Sequence, residues 1–453
     1  MRSKSPSETP QSSFFDLFSQ IDQTDPLIVL GHALNWSYLE STFAELYSSA
    51  GRPAKPIRLM CGLLILKQLE DLSDESVVMQ WRRNPYYQAF CGETEFQTTA
   101  PCHATELVKF RQRIGVDGVK KLFGLSVALH GKNSEEPTVL VDTTVQEKAI
   151  TYPTDSKLLI KIINRLNKLA KVQGIQQRRT FVKEVKSLRL ACRHFRHVKR
   201  RAKAKKALKR LRTIAGILLR ELHRKLPATI REQEEERLTL YQRVIDQRPK
   251  DKNKVYSLHE SDVYCVGKGK DHKQYEYGRK ASIVSTKDSN IIVGVASHDE
   301  HVHDSKTLKS ALESAHEHRE KPIELAVVDR GYRGAKKYIP ADIEILLPSP
   351  PLKRDTAYQR QKKRILCRRR AAIEPIIGHL KHDYRLSRNW LKGSEGDAIN
   401  LHMAACAWNL RKWMVAFLVL DNQRPVGFII MEISINPISE IPHVHPLGFI
   451  SWS

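Results

Sequence analysis

Between Lys157 and Lys225 the chain carries 24 Lys and Arg residues against two acids, Glu184 and Glu221. A segment charged so one-sidedly cannot be a core strand or a buried helix, so any fold must be built around it. It is nevertheless patterned. Leu159, Ile162, Leu166 and Leu169 recur at helical spacing, and Leu208, Leu211, Ala215, Leu218 and Leu222 repeat the stripe, with no proline before Pro227. The stretch reads as two or three long basic helices, each hiding one apolar face. A solvated hairpin whose charge serves only solubility is the alternative. Solubility calls for mixed signs, however, and a nearly pure positive run is better explained by neutralisation of backbone phosphates with strongly salt-dependent binding. Arg200, Arg201, Lys205 and Lys206 are its candidate phosphate contacts.

The whole chain has 453 residues and a net charge of +26, an imbalance that argues against an ordinary metabolic enzyme and for a polyanionic partner. At that length two or three domains are expected. Apolar runs such as 413–420 fall short of the roughly 18 residues of a membrane span, so no membrane partner is expected. The polar, Ser-rich first fifteen residues carry no secretory pattern. Seven scattered cysteines without a C-x-x-C pair suit a reducing compartment rather than a disulfide framework or zinc module, and the expected location is cytoplasmic.

Either side of the basic block the texture differs. Residues 1–12 are expected to be disordered, and 15–132 to form a helical domain, with Pro56 opening one helix and Ser73 capping the next. Such a domain suits either gripping a duplex or oligomerisation. From Pro137 the pattern becomes α/β. Strand-like runs at 138–144, 275–285, 290–296, 323–329 and 343–347 alternate with helical stretches at 304–318, 364–388 and 395–420. The expected organisation is an α/β domain over 137–420, interrupted by a basic helical insertion at 156–255, with an atypical tail at 421–453.

Two acids close apolar strands: Val139-Leu140-Val141-Asp142 and Leu325-Ala326-Val327-Val328-Asp329. If those strands are neighbours the carboxylates meet, repel and call for a hard divalent cation. Taken alone, each is more often a strand-end cap. After Asp329 come Arg330, Gly331, Tyr332, Arg333 and Gly334, flexible backbone with two cations, as a phosphate site would have. Arg370, Glu374, Lys381 and Arg385 share one face of an uninterrupted helix, provided that Pro375 does not break it. Other residues are weaker candidates. His301, His303 and Asp304 could form a metal cluster, although Asp304 reads more naturally as a helix cap, as does Asp155. Trp390, Trp408 and Trp413 read as core, with a DNA-wedge role as the alternative.

These residues together resemble bacterial insertion-sequence transposases of the Asp-Asp-Glu class, in the insertion sequence five group. That group carries a tyrosine, two residues, Arg, three residues, Glu, six residues, Lys signature. Arg370, Glu374 and Lys381 match it, with Cys367 at the tyrosine position. Val141-Asp142-Thr143-Thr144 and Asp329-Arg330-Gly331-Tyr332-Arg333-Gly334 match the contexts of the first two acids. Gly51-Arg52-Pro53, Phe90-Cys91-Gly92, Phe110-Arg111, Lys392-Gly393 and Gly396-Asp397-Ala398 extend the likeness over roughly 15–420.

The resemblance implies an RNase H-like core with Asp142 on its first strand and the basic block inserted after it. It also implies a DNA transposase that binds terminal inverted repeats, cleaves the element ends and joins the 3′ ends to target DNA. Asp142, Asp329 and Glu374 would hold two Mg²⁺ (or Mn²⁺) ions, one activating water or a 3′-hydroxyl and the other stabilising the leaving oxygen. Arg370, Lys381, Arg330 and Arg333 would contact DNA, the protein acting as a homo-oligomer on double-stranded DNA and on the nucleoid when bound. The alternatives are a non-catalytic repressor derived from such an enzyme and a metal-dependent nuclease on the same core.

Overall fold

The computed structural model describes residues 16–421 except 49–52, 196, 269–273 and 351–353. The expected disordered start, the Gly51-Arg52 pair and the tail from 422 fall outside the described residues. The chain divides into two compact units. One comprises residues up to Gln146, Lys280–His298 and the chain from Val302; the other is Glu147–Arg279 with Asp299–His301.

The first unit opens with the helices α1 (Leu17–Gln20), α2 (Pro26–Ala33), α3 (Trp36–Ala44), α4 (Ile57–Leu69), α5 (Asp74–Trp81), α6 (Pro85–Phe90) and α7 (Ala104–Ala128). Asn35, Ser73 and Asn84 side chains accept from the first-turn amides of α3, α5 and α6, satisfying donors a helix start would otherwise leave bare. Helix α4 is apolar nearly all round and nearly every residue in it is buried, as expected of a helix packed on all sides. Then β1 (Thr138–Glu147) enters the sheet.

The second unit holds α8 (Asp155–Val172), α9 (Val182–Cys192), α10 (Arg201–Lys225) and α11 (Ala228–Asp246), then β2 (Tyr264–Gly267) and the first residues of β3 (Tyr275–Thr286). Helices α8, α9 and α10 carry the basic block. Leu159, Ile162, Leu166, Leu211, Ala215, Leu218 and Leu222 are buried together with Val244 and Ile245 of α11, while Leu169 and Leu208 are half-buried. Thr154, not Asp155, caps α8 by accepting from Lys157 N. Strand β2, too short to announce itself in the sequence, pairs antiparallel with Tyr275–Gly278. Where the unit joins β1 and β3, Lys148 N donates to Tyr277 O at 3.0 Å.

Back in the first unit, β3 from Lys280 pairs antiparallel with β4 (Ile292–His298). Next come α12 (Asp304–His316), β5 (Leu325–Val327), β6 (Glu344–Leu346), α13 (Ala357–Arg369), α14 (Ile373–His382) and α15 (Gly393–Asp421). The strand order is β4-β3-β1-β5-β6, with β1, β5 and β6 parallel. Helix α12 lies so close on β4 that a Cβ at Gly294 would stand 2.6 Å from Ala315 N. Helix α15 is the spine. Its Asn409 accepts from Ile292 N at 3.0 Å and donates to Ile292 O at 2.8 Å, so one side-chain amide takes the place of a missing neighbour on the β4 edge. One continuous apolar cluster runs from α2, α4 and α7 through the strands to α15. No helix among the described residues is long and apolar enough to cross a membrane.

Candidate active site

Strands β1 and β5 pair in parallel with Leu140 opposite Val327. Two residues further on stand Asp142, midway along β1 rather than closing it as its apolar run suggested, and Asp329, two residues past the end of β5 and near enough for its charge to act on Asp142. Asp142 is largely buried. Burial pushes its carboxyl above the usual range, against the Thr143 amide and the Arg370 guanidinium, and the Asp329 charge adds to the rise. Its Oδ1 accepts from Thr143 N at 2.7 Å. Past the end of β5, Asp329 caps a short 3₁₀ turn, Arg330–Tyr332, with Oδ1 accepting from Gly331 N at 2.8 Å. A Cβ on Gly331 would press on both acids, meeting Asp329 Oδ1 at 2.9 Å and Asp304 Oδ2 at 3.1 Å, so a larger residue there would have to displace their carboxylates. Tyr332 is fully buried beneath them. Burial and the charges of Asp142, Asp304 and Asp329 push its phenol far above its ordinary value.

The third acid comes from α14. Pro375 does not break the alignment of Arg370 with Glu374. Helix α13 ends at Arg369, a 3₁₀ turn spans Arg370–Ala372, and α14 begins at Ile373, so Pro375 falls in its first turn, where no amide is needed. Arg370 reaches both ways. Its Nη1 donates to Asp142 Oδ2 at 2.9 Å and its Nη2 to Glu374 Oε1 at 3.2 Å. Glu374 itself is mostly exposed. Lys381 lies half-buried in the last turn of α14. Arg385 leaves the row: past the helix end its φ is 62°, and its guanidinium donates to Asp71 O at 2.8 Å. Cys367 packs half-buried against the core. Arg330 Nε donates to Pro348 O at 3.2 Å, and Arg333 is exposed.

A fourth acid joins the group. His303, not Asp304, caps α12, its Nδ1 accepting from Ser305 N. Asp304 turns instead to the sheet, where Oδ1 accepts from Lys280 Nζ at 2.8 Å and Thr143 Oγ1 at 3.0 Å. Burial would raise its carboxyl, but the Lys280 bond and charge bring it below the usual range. Nothing in the local sequence separates such an acid from an ordinary cap; only the antiparallel return of β3 brings Lys280 to it.

Among the described residues no three His, Cys, Asp or Glu side chains are gathered closely enough to share an ion as they stand, neither the three acids nor the His301, His303 and Asp304 set. The donor chemistry nonetheless suits a hard divalent cation. Asp142 and Asp329 offer only carboxylate oxygens and repel each other, and Arg370 is already the positive charge that Asp142 and Glu374 share. In the second unit Arg200, Arg201, Lys205 and Lys206 are all exposed where α10 begins. Arg200 and Lys206 line a cleft of about 830 Å³ with His194, Lys203 and Arg210.

Two family models match the chain: Transposase domain (DUF772) over residues 15–113 and Transposase DDE domain over residues 246–410. Asp329, Glu374 and Asp304 fall inside the second match, and Asp142 lies between the two. The chain is similar to an uncharacterized protein, ORF8 in the nfe locus of Rhizobium meliloti, with 38% identity over 205 residues, 44% of this chain and 99% of that protein. No solved structure matches. With a transposase domain at its start and a DDE domain in its second half, the chain belongs to the bacterial DDE transposases.

Proposed function

We propose that the protein is a transposase of the insertion sequence five group. In this reading it binds the terminal inverted repeats of its element, cleaves the ends by metal-dependent phosphodiester hydrolysis and joins the 3′ ends to target DNA. The observation that supports this is Arg370 spanning from Asp142 to Glu374, with Asp329 just past the strand that pairs in parallel with β1 and its charge felt at Asp142. The strand order β4-β3-β1-β5-β6, antiparallel between β3 and β4 and parallel from β1 to β6, supports an RNase H-like core.

Asp142, Asp329 and Glu374 would hold two Mg²⁺ or Mn²⁺ ions. Bound there, they supply Lewis acidity that lowers the pKa of the attacking water or hydroxyl and steadies the leaving oxygen. In the first reaction water breaks a phosphodiester, leaving a 3′-hydroxyl and a 5′-phosphate. In the second, that 3′-hydroxyl attacks a target phosphodiester, one bond forming as another breaks. Arg370 and Lys381, on either side of Glu374, orient the phosphate. The loop from Asp329 to Arg333 presents Arg330 and Arg333 to the flanking strand, and the basic insertion grips duplex phosphates. The protein works in the cytoplasm on nucleoid DNA as a homo-oligomer.

Asp142→Asn, Asp329→Asn and Glu374→Gln should each lower Mg²⁺-dependent end cleavage by at least about 10²-fold, the cost of removing one group that stabilises transition-state charge, with DNA binding retained. Intact cleavage in any of them refutes that residue's assignment. A nuclease on the same core would cut without joining, so a joined product separates the two.

A further inference from the structure

Helix α13 (Ala357–Arg369) runs directly into the turn that carries Arg370, yet none of its residues is buried. Only Leu366 and Cys367, near its end, pack partly against the core. It holds six cations and no acid. Two of the six are used within the protein. Lys363 pairs with Asp355 at 3.1 Å, and Arg369 donates to Lys287 O at 2.7 Å and Asn290 Oδ1 at 3.0 Å. Those bonds fix which way the helix faces. Arg360, Lys362, Arg364 and Arg368 are left exposed, and none meets an acid among the described residues.

A helix of this kind has little to hold it. Thirteen residues without a buried face are marginal in water. Arg360, Arg364 and Arg368 stand at successive i, i+4 positions, where like charges repel. A capping box helps: Thr356 Oγ1 accepts from Gln359 N, and Gln359 Oε1 accepts from Thr356 N. Yet the row of cations remains uncompensated. What would compensate it is a linear polyanion. The three arginines form a row about 12 Å long at 1.5 Å per residue. A DNA strand carries one phosphate per roughly 3.4 Å of axis, so that row spans three or four of them. A protein partner would want an apolar centre, and the helix exposes only Tyr358 and Ile365.

Resting on the transposase reading, we propose that α13 is a DNA-loading surface: Arg360, Arg364 and Arg368 bind phosphates along the strand that leads to the carboxylates, and that strand steadies the helix. The strand lying along α13 arrives at the turn where Arg370 touches Asp142 and Glu374.

The test uses the full chain with a linear, mixed-sequence DNA duplex. Hydrogen exchange over residues 357–369 should slow when the duplex is added. The triple variant Arg360→Gln, Arg364→Gln, Arg368→Gln keeps good helix formers and touches no buried group, so its helix content without DNA should match wild type. Its slope of log affinity against log salt should be shallower by about 2 to 3, at about 0.9 for each phosphate the helix no longer neutralises. An unchanged slope, or exchange indifferent to DNA, overturns the proposal. Protection that rises with protein concentration alone overturns it in favour of an interface between copies. Failure of wild type to bind the duplex at all refutes the transposase reading itself, whereas tight binding with an untouched triple variant refutes only this surface.

Discussion

Asp142 is under electrostatic tension that its neighbours only partly relieve. Burial and Asp329 favour its neutral form, and Arg370 does not reverse the balance. The consequence for stability has a definite sign. A carboxyl whose folded pKa is raised favours the folded state while protonated, and stability falls as pH climbs from the ordinary Asp range through the raised value. At neutral pH the wild type therefore bears the cost of the charge. Asp142→Asn should raise the melting temperature at pH 7 by on the order of a degree, with the gap closing in acid near the unperturbed value of about 4. A lower melting temperature at pH 7 would show that the charge is not strained. The acids at 142 and 329 could be seen from the sequence because each follows an apolar run, although β1 continues past Asp142 to Glu147, and Glu374 because of its spacing from Arg370 and Lys381. That Asp304 would bond Lys280 rather than cap its helix could not, since their meeting depends on how the β3–β4 pair folds back before α12.

Among the elements, α5 and α7 are tied by one acid. Asp74 bonds Arg111 through both carboxylate oxygens and Lys67 at 2.8 Å, all three largely buried. Burial pushes Asp74 up, but the Arg111 bond and the Lys67 and Arg111 charges prevail and hold it at about 2. A depressed carboxyl contributes stability above its ordinary pKa and loses it as pH falls toward the folded value. Asp74→Asn, which strands two buried cations, should cost about 3 kcal/mol at neutral pH in denaturant unfolding, and the difference from wild type should shrink between about pH 4 and pH 2. An equal cost at both pH values would mean that packing, not charge, is responsible. Helices and strands here were legible where periodicity ran long, as in α8, α10 and β3. They were not where an end depends on a single dihedral, as when Arg385 turns left-handed and leaves its row. Nor could four residues of β2 be told from a loop.

For the whole molecule, charge is the legible property and packing is not. The +26 excess and its concentration in one block stand in the sequence. That Gln68 of α4 donates to Tyr384 O, or that Cys406 of α15 donates to Leu122 O, joins residues hundreds of positions apart and has no local signal. The block makes its own prediction. Reversing Arg200, Arg201, Lys205 and Lys206 to Glu should weaken duplex binding and flatten its salt dependence by at least about 0.9 for each phosphate left without its cation. An unchanged slope would show that those cations face something other than DNA.

The bond from Lys148 N to Tyr277 O clasps the two ends of the inserted cassette side by side, so the long excursion between them is closed like a hairpin however many residues it contains. Most of the entropy of closing so large a loop is met at that clasp, and further length adds only logarithmically. The excursion can therefore lengthen, shorten or be exchanged with little change in the cost of its closure, which makes it the part of the chain most free to diverge in size.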